Sequence, residues 1–469
     1  MLRVRFLGQL WVLFLWGVFS ASNSFSDQQH WPMYASETSY FDHIYLPSTV
    51  SLNVDSVLAV LSTGQPIKVA GRLIVEASNP LASIDSEIES ISKAKWSELI
   101  NYPDHYFYLV QYPTVGDALN AMSALKSRPD IEYVQPDVLP LRLPRQRPEK
   151  WSGPIIFDEK SFNMSDYLPL DSLWQISQGQ GQRIAVIDIG FDNQHPALAK
   201  MPLADSWNID FNLKNVTAEN NHELHGSYVV GIIWSRPELV DPSVKRLQPG
   251  LAWGIAPESE LIALKLHHPW TSNLLKTFFR AEQQQADIIN VSWLVPWVAD
   301  PVRQYLKYLV TEANNQRGIL IVAAADPQFR ANIGLAAMPE LLVVTSVDHQ
   351  EQLAASSWDD TVDIAAVSYI PTVSYRKDRI FERFAKTSAS VPVVSGLAAL
   401  FRAVNPELTA TDIQTLLLSS AHQNELTLAS GETVKYKSLD AKAAYQKLIS
   451  KMLLKEKSVI DLDNNYDIR

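Results

Sequence analysis

Three side chains of the kinds that can break an acyl bond are spread along this sequence: Asp188, His225 and Ser388. Asp188 follows the apolar run Ile184-Ala-Val-Ile187 and precedes Ile189-Gly190. His225-Gly226-Ser227 opens the apolar stretch Tyr228–Trp234, and Thr387-Ser388 opens a small-residue run that continues through Val393–Leu400. A serine hydroxyl is a poor nucleophile until a base takes its proton, and an imidazole acts as that base when a carboxylate fixes its tautomer. The start of a helix adds unpaired N–H groups and a positive dipole end, both of which favour an oxyanion. Singly, each residue has a plainer reading: Asp188 and Ser388 as helix caps, His225 as a core side chain. Together they specify nucleophilic attack on a carbonyl carbon, provided that folding brings them together.

The elements that must do so are visible in the hydrophobic pattern. Ile184–Ile187, Leu261–Leu266, Ile288-Ile289, Ile319–Ala323 and Leu341–Val347 are near-continuous apolar runs, the signature of a parallel sheet covered on both faces. Asn273–Gln285 and Val302–Gln316 read as intervening helices, and the cap-like residues of Asn405–Asp412 precede another that reaches about Ser419. The expected fold class is α/β, a parallel sheet with helices on both faces. Ligands of such sheets gather at the carboxyl ends of the strands. Asp188 ends a strand, and His225 and Ser388 begin helices.

A smaller unit precedes it. Arg72–Ala77 reads as a strand, Ile84, Ile88 and Ile91 have helical spacing, and Trp96–Asn101 and His105–Tyr112 read as strands. A helix over Val115–Ser127 is broken at Arg128-Pro129-Asp130 before a last strand, Ile131–Val134. The order β-α-β-β-α-β is that of a ferredoxin-like α+β unit. Leu139–Lys150 holds three prolines and three arginines and reads as a linker open to proteolysis. Residues 27–65 carry no assignment.

Composition bounds the function. At 469 residues, 46% hydrophobic and 19% charged, the chain is globular and long enough for two or more domains. A net charge of −11 argues against a nucleic-acid partner, and the absence of cysteine excludes disulfides, thiol catalysis and thiolate metal sites. Arg3 and Arg5, the ten-residue apolar run Leu10–Phe19 and the small residues of Ser20–Ser26 have the order of a signal peptide, so export is expected, with no membrane segment beyond it. No metal is expected: His222 and His225 are three apart, where a zinc helix needs four, and His267-His268 reads as a loop pair.

The residues around the three candidates resemble the subtilisin-like (subtilase) serine peptidases. Ile184–Gly190 with Asn193–Pro196 is similar to the family's Asp motif, His225–Gly231 to its His motif, and Thr387–Pro392 to its Ser motif. Gly254–Ala263, Asp287–Ser292, Pro339–Asp348, Asp363–Ala366 and Ser438–Gln446 continue the likeness. The resemblance implies Ser388 as nucleophile, His225 as general base and then acid, and Asp188 as the group that orients the imidazole. It also implies a division into a signal peptide (1–26), an uncharacterised segment (27–65), an inhibitor-like pro-domain (66–140), a linker (141–165), the peptidase domain (166–450) and a C-terminal tail (451–469). The partners implied are a peptide or protein substrate and the chain's own pro-domain as intramolecular inhibitor. No cofactor is expected, and calcium by resemblance only.

The chain also departs from the family. The side chain that donates to the oxyanion falls on Pro327, which has no donor, leaving the backbone N–H of Ser388 and, as a stand-in, the amide of Gln328. Loss of one such donor costs roughly 10²–10³ in turnover. Ser292-Trp293-Leu294 stands where the family has its substrate-binding Ser-Leu-Gly strand, and Lys386 replaces the glycine usual before Thr-Ser. Two functions are therefore expected: an exported endopeptidase made as a zymogen and autoprocessed, or a catalytically impaired subtilase fold that binds peptides or scaffolds a partner.

Overall fold

The computed structural model describes residues 28–32, 43–47, 50–80, 94–141, 164–192, 194–240, 253–325, 333–348, 350–353, 360–375, 381–427, 431 and 433–466. The signal-peptide segment, the helix expected over 84–91, residues 142–163 of the linker, and Pro327 with Gln328 lie outside them. The chain divides into two compact units, 1–141 and 142–469.

The first unit is built on β4 (Pro66–Ala77), a long strand that follows β1 (Gln28–Pro32), β2 (His43–Pro47) and β3 (Ser56–Leu61). After it come β5 (Lys95–Tyr102), β6 (His105–Gln111), helix α1 (Val115–Lys126) and β7 (Ile131–Pro140). β7 lies on one side of β4, and β6 then β5 on the other, which is the ferredoxin-like strand order. β4 is longer than the pattern suggested because one edge serves two partners: β3 pairs with Pro66–Ala70 and β6 with Arg72–Ala77. Between the two stretches Gly71 donates to Asp55 O and accepts from Tyr112 N–H, and a Cβ there would lie 2.9 Å from the Thr114 carbonyl carbon. The unassigned segment thus contributes three strands to this sheet. Thr114 caps α1, whose Val115, Ala118, Leu119, Met122 and Leu125 are buried.

The second unit holds a nine-stranded sheet. In chain order its elements are β8 (Arg183–Asp188), β9 (Leu203–Asn208), α2 (His225–Trp234), β10 (Glu260–Lys265), α3 (Thr271–Gln283), β11 (Ile288–Val291), α4 (Asp300–Thr311), β12 (Leu320–Ala324) and β13 (Leu342–Val347). β14 (Ile364–Val367) follows, then a separate hairpin of β15 (Ile370–Val373) and β16 (Phe381–Phe384), and α5 (Thr387–Val404). α6 (Ala410–Ser420), β17 (His422–Thr427), β18 (Thr433–Ser438) and α7 (Ala441–Tyr466) complete it. The strand order is β17-β18-β14-β13-β12-β11-β8-β10-β9, parallel except for the β17–β18 edge pair. Buried strands such as Leu320–Ala324 and Leu342–Val347, apolar on both faces, are what a two-sided cover requires. α5 packs on α2 and on β11–β14, whereas α3, α4 and α6 form the other layer.

Two elements differ from expectation. The helix expected to run from 302 to 316 stops at Thr311, because Asn314, Asn315 and Gln316 all adopt positive φ. α7 continues to Tyr466 through residues expected as a tail. The order of the sheet is decisive for function. From β8 the chain goes to the edge strand β9 and returns to β10 between them on one side, then crosses to β11 and builds outward on the other. The crevice beside the carboxyl end of β8 is the topological switch point where α/β folds bind ligands. Asp188 is the last residue of β8.

Candidate active site

Asp188 has no exposure, and one of its carboxylate oxygens accepts the N–H of Ile189 at 2.8 Å. His225, the first residue of α2, approaches it with Nδ1 at 2.9 Å from Oδ2 and 3.0 Å from Oδ1. The contact depends on Gly226: a Cβ there would lie 2.5 Å from Gly190 O and 2.9 Å from Asp188 Cβ. Only glycine lets the start of α2 nest on the loop after β8. With the carboxylate on Nδ1, the imidazole is held in the tautomer whose other nitrogen is a base.

Ser388 stands in the first turn of α5, half-buried. Its hydroxyl donates to Ser292 O at 2.9 Å, and among the described residues it makes no hydrogen bond to His225. The structure thus joins two of the three candidates by hydrogen bonds and holds the third on a neighbouring carbonyl. Phe384, four residues before Ser388, stands edge-on to the His225 ring with centroids 5.4 Å apart, so the starts of α2 and α5 open side by side. Pro392 lies inside α5 and lacks the N–H that would bond the Ser388 carbonyl.

Of the expected substrate strand, Ser292 is buried and its hydroxyl accepts from Asn290 Nδ2 at 2.9 Å, while Asn290 Oδ1 accepts from Ser395 Oγ at 3.0 Å. This chain of hydrogen bonds ties the end of β11 to the helix that carries Ser388. The Trp293 indole donates to Ile187 O at 2.9 Å, so it is pinned to the end of β8. Leu294 and Trp293 line a cavity of about 20 Å³ with Ala324, Leu335, Ala336 and Thr361. Lys386 adopts φ 71° and ψ −172°, a region that only glycine enters without strain. The departure noted in the sequence therefore leaves the backbone in the conformation a glycine would take.

Sequence reasoning missed Phe384 and the pair Lys265–Glu223. Phe384 and Tyr228 pack at 5.3 Å and wall one side of the imidazole. The signal for Lys265 was a single charge within the otherwise apolar run Leu261–Leu266. Among the described residues no group of three His, Asp or Glu side chains could hold a metal. His267 and His268 instead face Glu223 and Asp210.

Residues 179–445 match the subtilase family, peptidase S8. The chain belongs to that family. It is 29% identical over 309 residues to mycosin-4 of Mycobacterium tuberculosis, an alignment covering 56% of this chain and 64% of mycosin-4. It is 26% identical over 334 residues to the subtilisin-like protease PopC of Myxococcus xanthus, covering 62% and 67%. Fervidolysin from Fervidobacterium pennivorans, a keratinolytic enzyme related to subtilisin, superposes with a TM-score of 0.59 at 17% identity over 80% of this chain and 61% of its own. That likeness shows the fold. The chain thus spans a little under two thirds of mycosin-4 and of fervidolysin.

Proposed function

We propose that this subtilase is an exported serine endopeptidase, made as a zymogen and autoprocessed, with Ser388 as nucleophile, His225 as base and Asp188 as the orienting acid. The observation that carries the reading is the buried Asp188 carboxylate on His225 Nδ1, at the switch point of a subtilase sheet, beside the helix start that presents Ser388. In the reaction His225 takes the Ser388 proton as the hydroxyl attacks the peptide carbonyl, then gives it to the leaving amine; water repeats the cycle on the acyl-enzyme. The Ser388 N–H faces the oxyanion, and Gln328 is the candidate second donor. Before that cycle the Ser388 hydroxyl must leave Ser292 O, and a peptide strand laid along Ser292–Leu294 offers an N–H that competes for the same carbonyl. Residues 66–140 act as intramolecular inhibitor, and residues 1–26 direct export.

A second reading, a peptide-binding or scaffolding subtilase with impaired chemistry, is favoured by Pro327 at the oxyanion donor position and by the Ser388–Ser292 bond. One experiment separates the two. The full chain and its Ser388→Ala variant are expressed side by side and exposed to a serine-directed fluorophosphonate. The enzyme reading expects label on wild type only, together with a fragment of roughly 320 residues released by cleavage at the end of the linker. A wild type that stays full length and takes no label overturns the enzyme reading.

A further inference from the structure

The carboxyl edge buries a cation that the catalytic cycle does not use. Lys265, the last residue of β10, is 2% exposed and stands in register with Asp188 on β8. An ammonium so desolvated must be paired. Its Nζ lies 2.9 Å from Glu223 Oε2, donates to Thr217 O at 2.9 Å, and has Glu219 Oε1 at 3.9 Å. Glu223 is itself buried, and accepts the Glu219 N–H at 3.0 Å and Asn220 Nδ2 at 2.6 Å, with His267 Nε2 at 3.6 Å. Burial alone would raise its pKa, but the Glu219 N–H and the Lys265 hydrogen bond and charge outweigh burial and hold it below the usual value.

This ion pair occupies a particular place in the chain. Glu223 is two residues before His225, and its carbonyl oxygen would be 2.9 Å from a Cβ at Gly190, two residues after Asp188. The pair therefore clamps the turn that delivers His225 onto the strand beside the one that delivers Asp188.

We infer that Lys265 and Glu223 are positioning residues, an internal ion pair that holds the His225 imidazole in register with Asp188. The inference rests on the peptidase reading above. Nothing in it requires either side chain to touch substrate. Among the described residues the charged or titratable groups in contact with the pair are Glu219 and His267, while Asp188 stands in register with Lys265 on the adjacent strand and His225 follows Glu223 by two residues.

The test is the rate at which a fluorophosphonate labels Ser388 in the full chain, measured against reagent concentration and pH, for Glu223→Gln, Lys265→Met and the two combined. Each single variant is expected to lower the maximal labelling rate at least about tenfold, with half-saturation unchanged. The acid limb of the pH profile is expected to move to lower pH in Glu223→Gln, where an unpaired ammonium disfavours imidazolium, and to higher pH in Lys265→Met. The double variant, which leaves neither charge of the pair unpartnered, should recover the melting temperature and the pH midpoint but not the rate, since the clamp is gone. If the single variants do not fold, the double variant decides alone: wild-type melting with a reduced rate supports the inference, and wild-type melting with a wild-type rate overturns it. A wild type that takes no label overturns the peptidase reading and this inference with it; a labelled wild type with undiminished variants overturns the inference only.

Discussion

At its carboxyl edge the nine-stranded sheet buries Lys265 against Glu223; at its amino edge it buries Arg402 against Asp287. The first pair is well supplied with hydrogen bonds, and the carboxylate stays below its usual pKa. The second is crowded with cations. Asp287 Oδ1 receives Arg317 at 2.7 Å, Oδ2 receives the Arg183 N–H at 3.0 Å, and Arg402 Nη1 donates to the Asp287 carbonyl at 2.7 Å. Burial nevertheless raises the Asp287 pKa and lowers that of Arg402 to about 10. Arg402 Nη2 and Arg317 Nε find no hydrogen-bond partner among the described residues. α5 joins the two edges, with Ser388 in its first turn and Arg402 in its last. At the edge that presents the dyad the Glu223 carboxylate has its hydrogen-bond partners, whereas at the opposite edge Arg402 and Arg317 keep orphaned donors, where the groups have only to hold strands and a helix together.

At the carboxyl edge the largest effect is expected at Asp188. Asp188→Asn keeps the volume but removes the acceptor that fixes the tautomer, and is expected to lower Ser388 labelling by roughly 10⁴-fold with little change in melting temperature. A variant that labels within about tenfold of wild type would mean that the carboxylate does not set the base. At the amino edge the expectation inverts. Arg402→Ala leaves Asp287 with less compensation and should cost about 3–5 kcal/mol of stability, read from the denaturant midpoint, while labelling per folded molecule stays within about twofold. A parallel loss of labelling would show that the two edges communicate through α5.

How much of this was legible depends on how local the physics is. Asp188, His225 and Ser388 could be named because each sits at a strand end or helix start that the hydrophobic pattern locates. The near-continuous apolar runs likewise gave away the parallel sheet. Less visible was everything that depends on partners far along the chain. β4 extends back to Pro66 because β3 shares its edge, which no window around Arg72 reveals. The helix expected through Gln316 fails at three residues whose left-handed backbone is set by a turn, with Asn314 Nδ2 held on Ala286 O across the fold. Trp293 is expected within the substrate strand, but its anchor on Ile187 O lies more than a hundred residues away. Lys265 lies in an apolar run, and only the sheet order shows it beside Asp188.

The strained residue offers a smaller perturbation. Lys386 holds φ 71°, ψ −172° without a side-chain cap, a conformation that costs of order 1–3 kcal/mol in a residue with a Cβ. Lys386→Gly relieves that strain but adds freedom to the unfolded chain worth about 0.4–1 kcal/mol. The net expectation is about 1 kcal/mol more stability, seen as a higher melting temperature. A destabilised variant would imply that the Lys386 side chain contributes packing that offsets its backbone.

The smallest effect discriminates most finely, because the two buried carboxylates are shifted in opposite directions. Glu223 is held below its usual 4.5, so the unfolded chain takes up its proton first on acidification. Its contribution to stability is complete above that value and is lost as pH falls through the folded pKa. Asp287 is raised above its usual 3.8, so over the window that begins there the folded chain keeps a proton that the unfolded chain has released. Its contribution is present below the window and is lost as pH rises through it. Denaturant midpoints measured at steps between about pH 3 and 6 should therefore separate the variants: Glu223→Gln removes a slope that rises with pH, and Asp287→Asn removes one that falls. Only a carboxylate whose partners outweigh its burial yields the first sign, and only one whose burial outweighs its partners yields the second. Slopes of the same sign would place both edges in one electrostatic regime and dissolve the contrast between them.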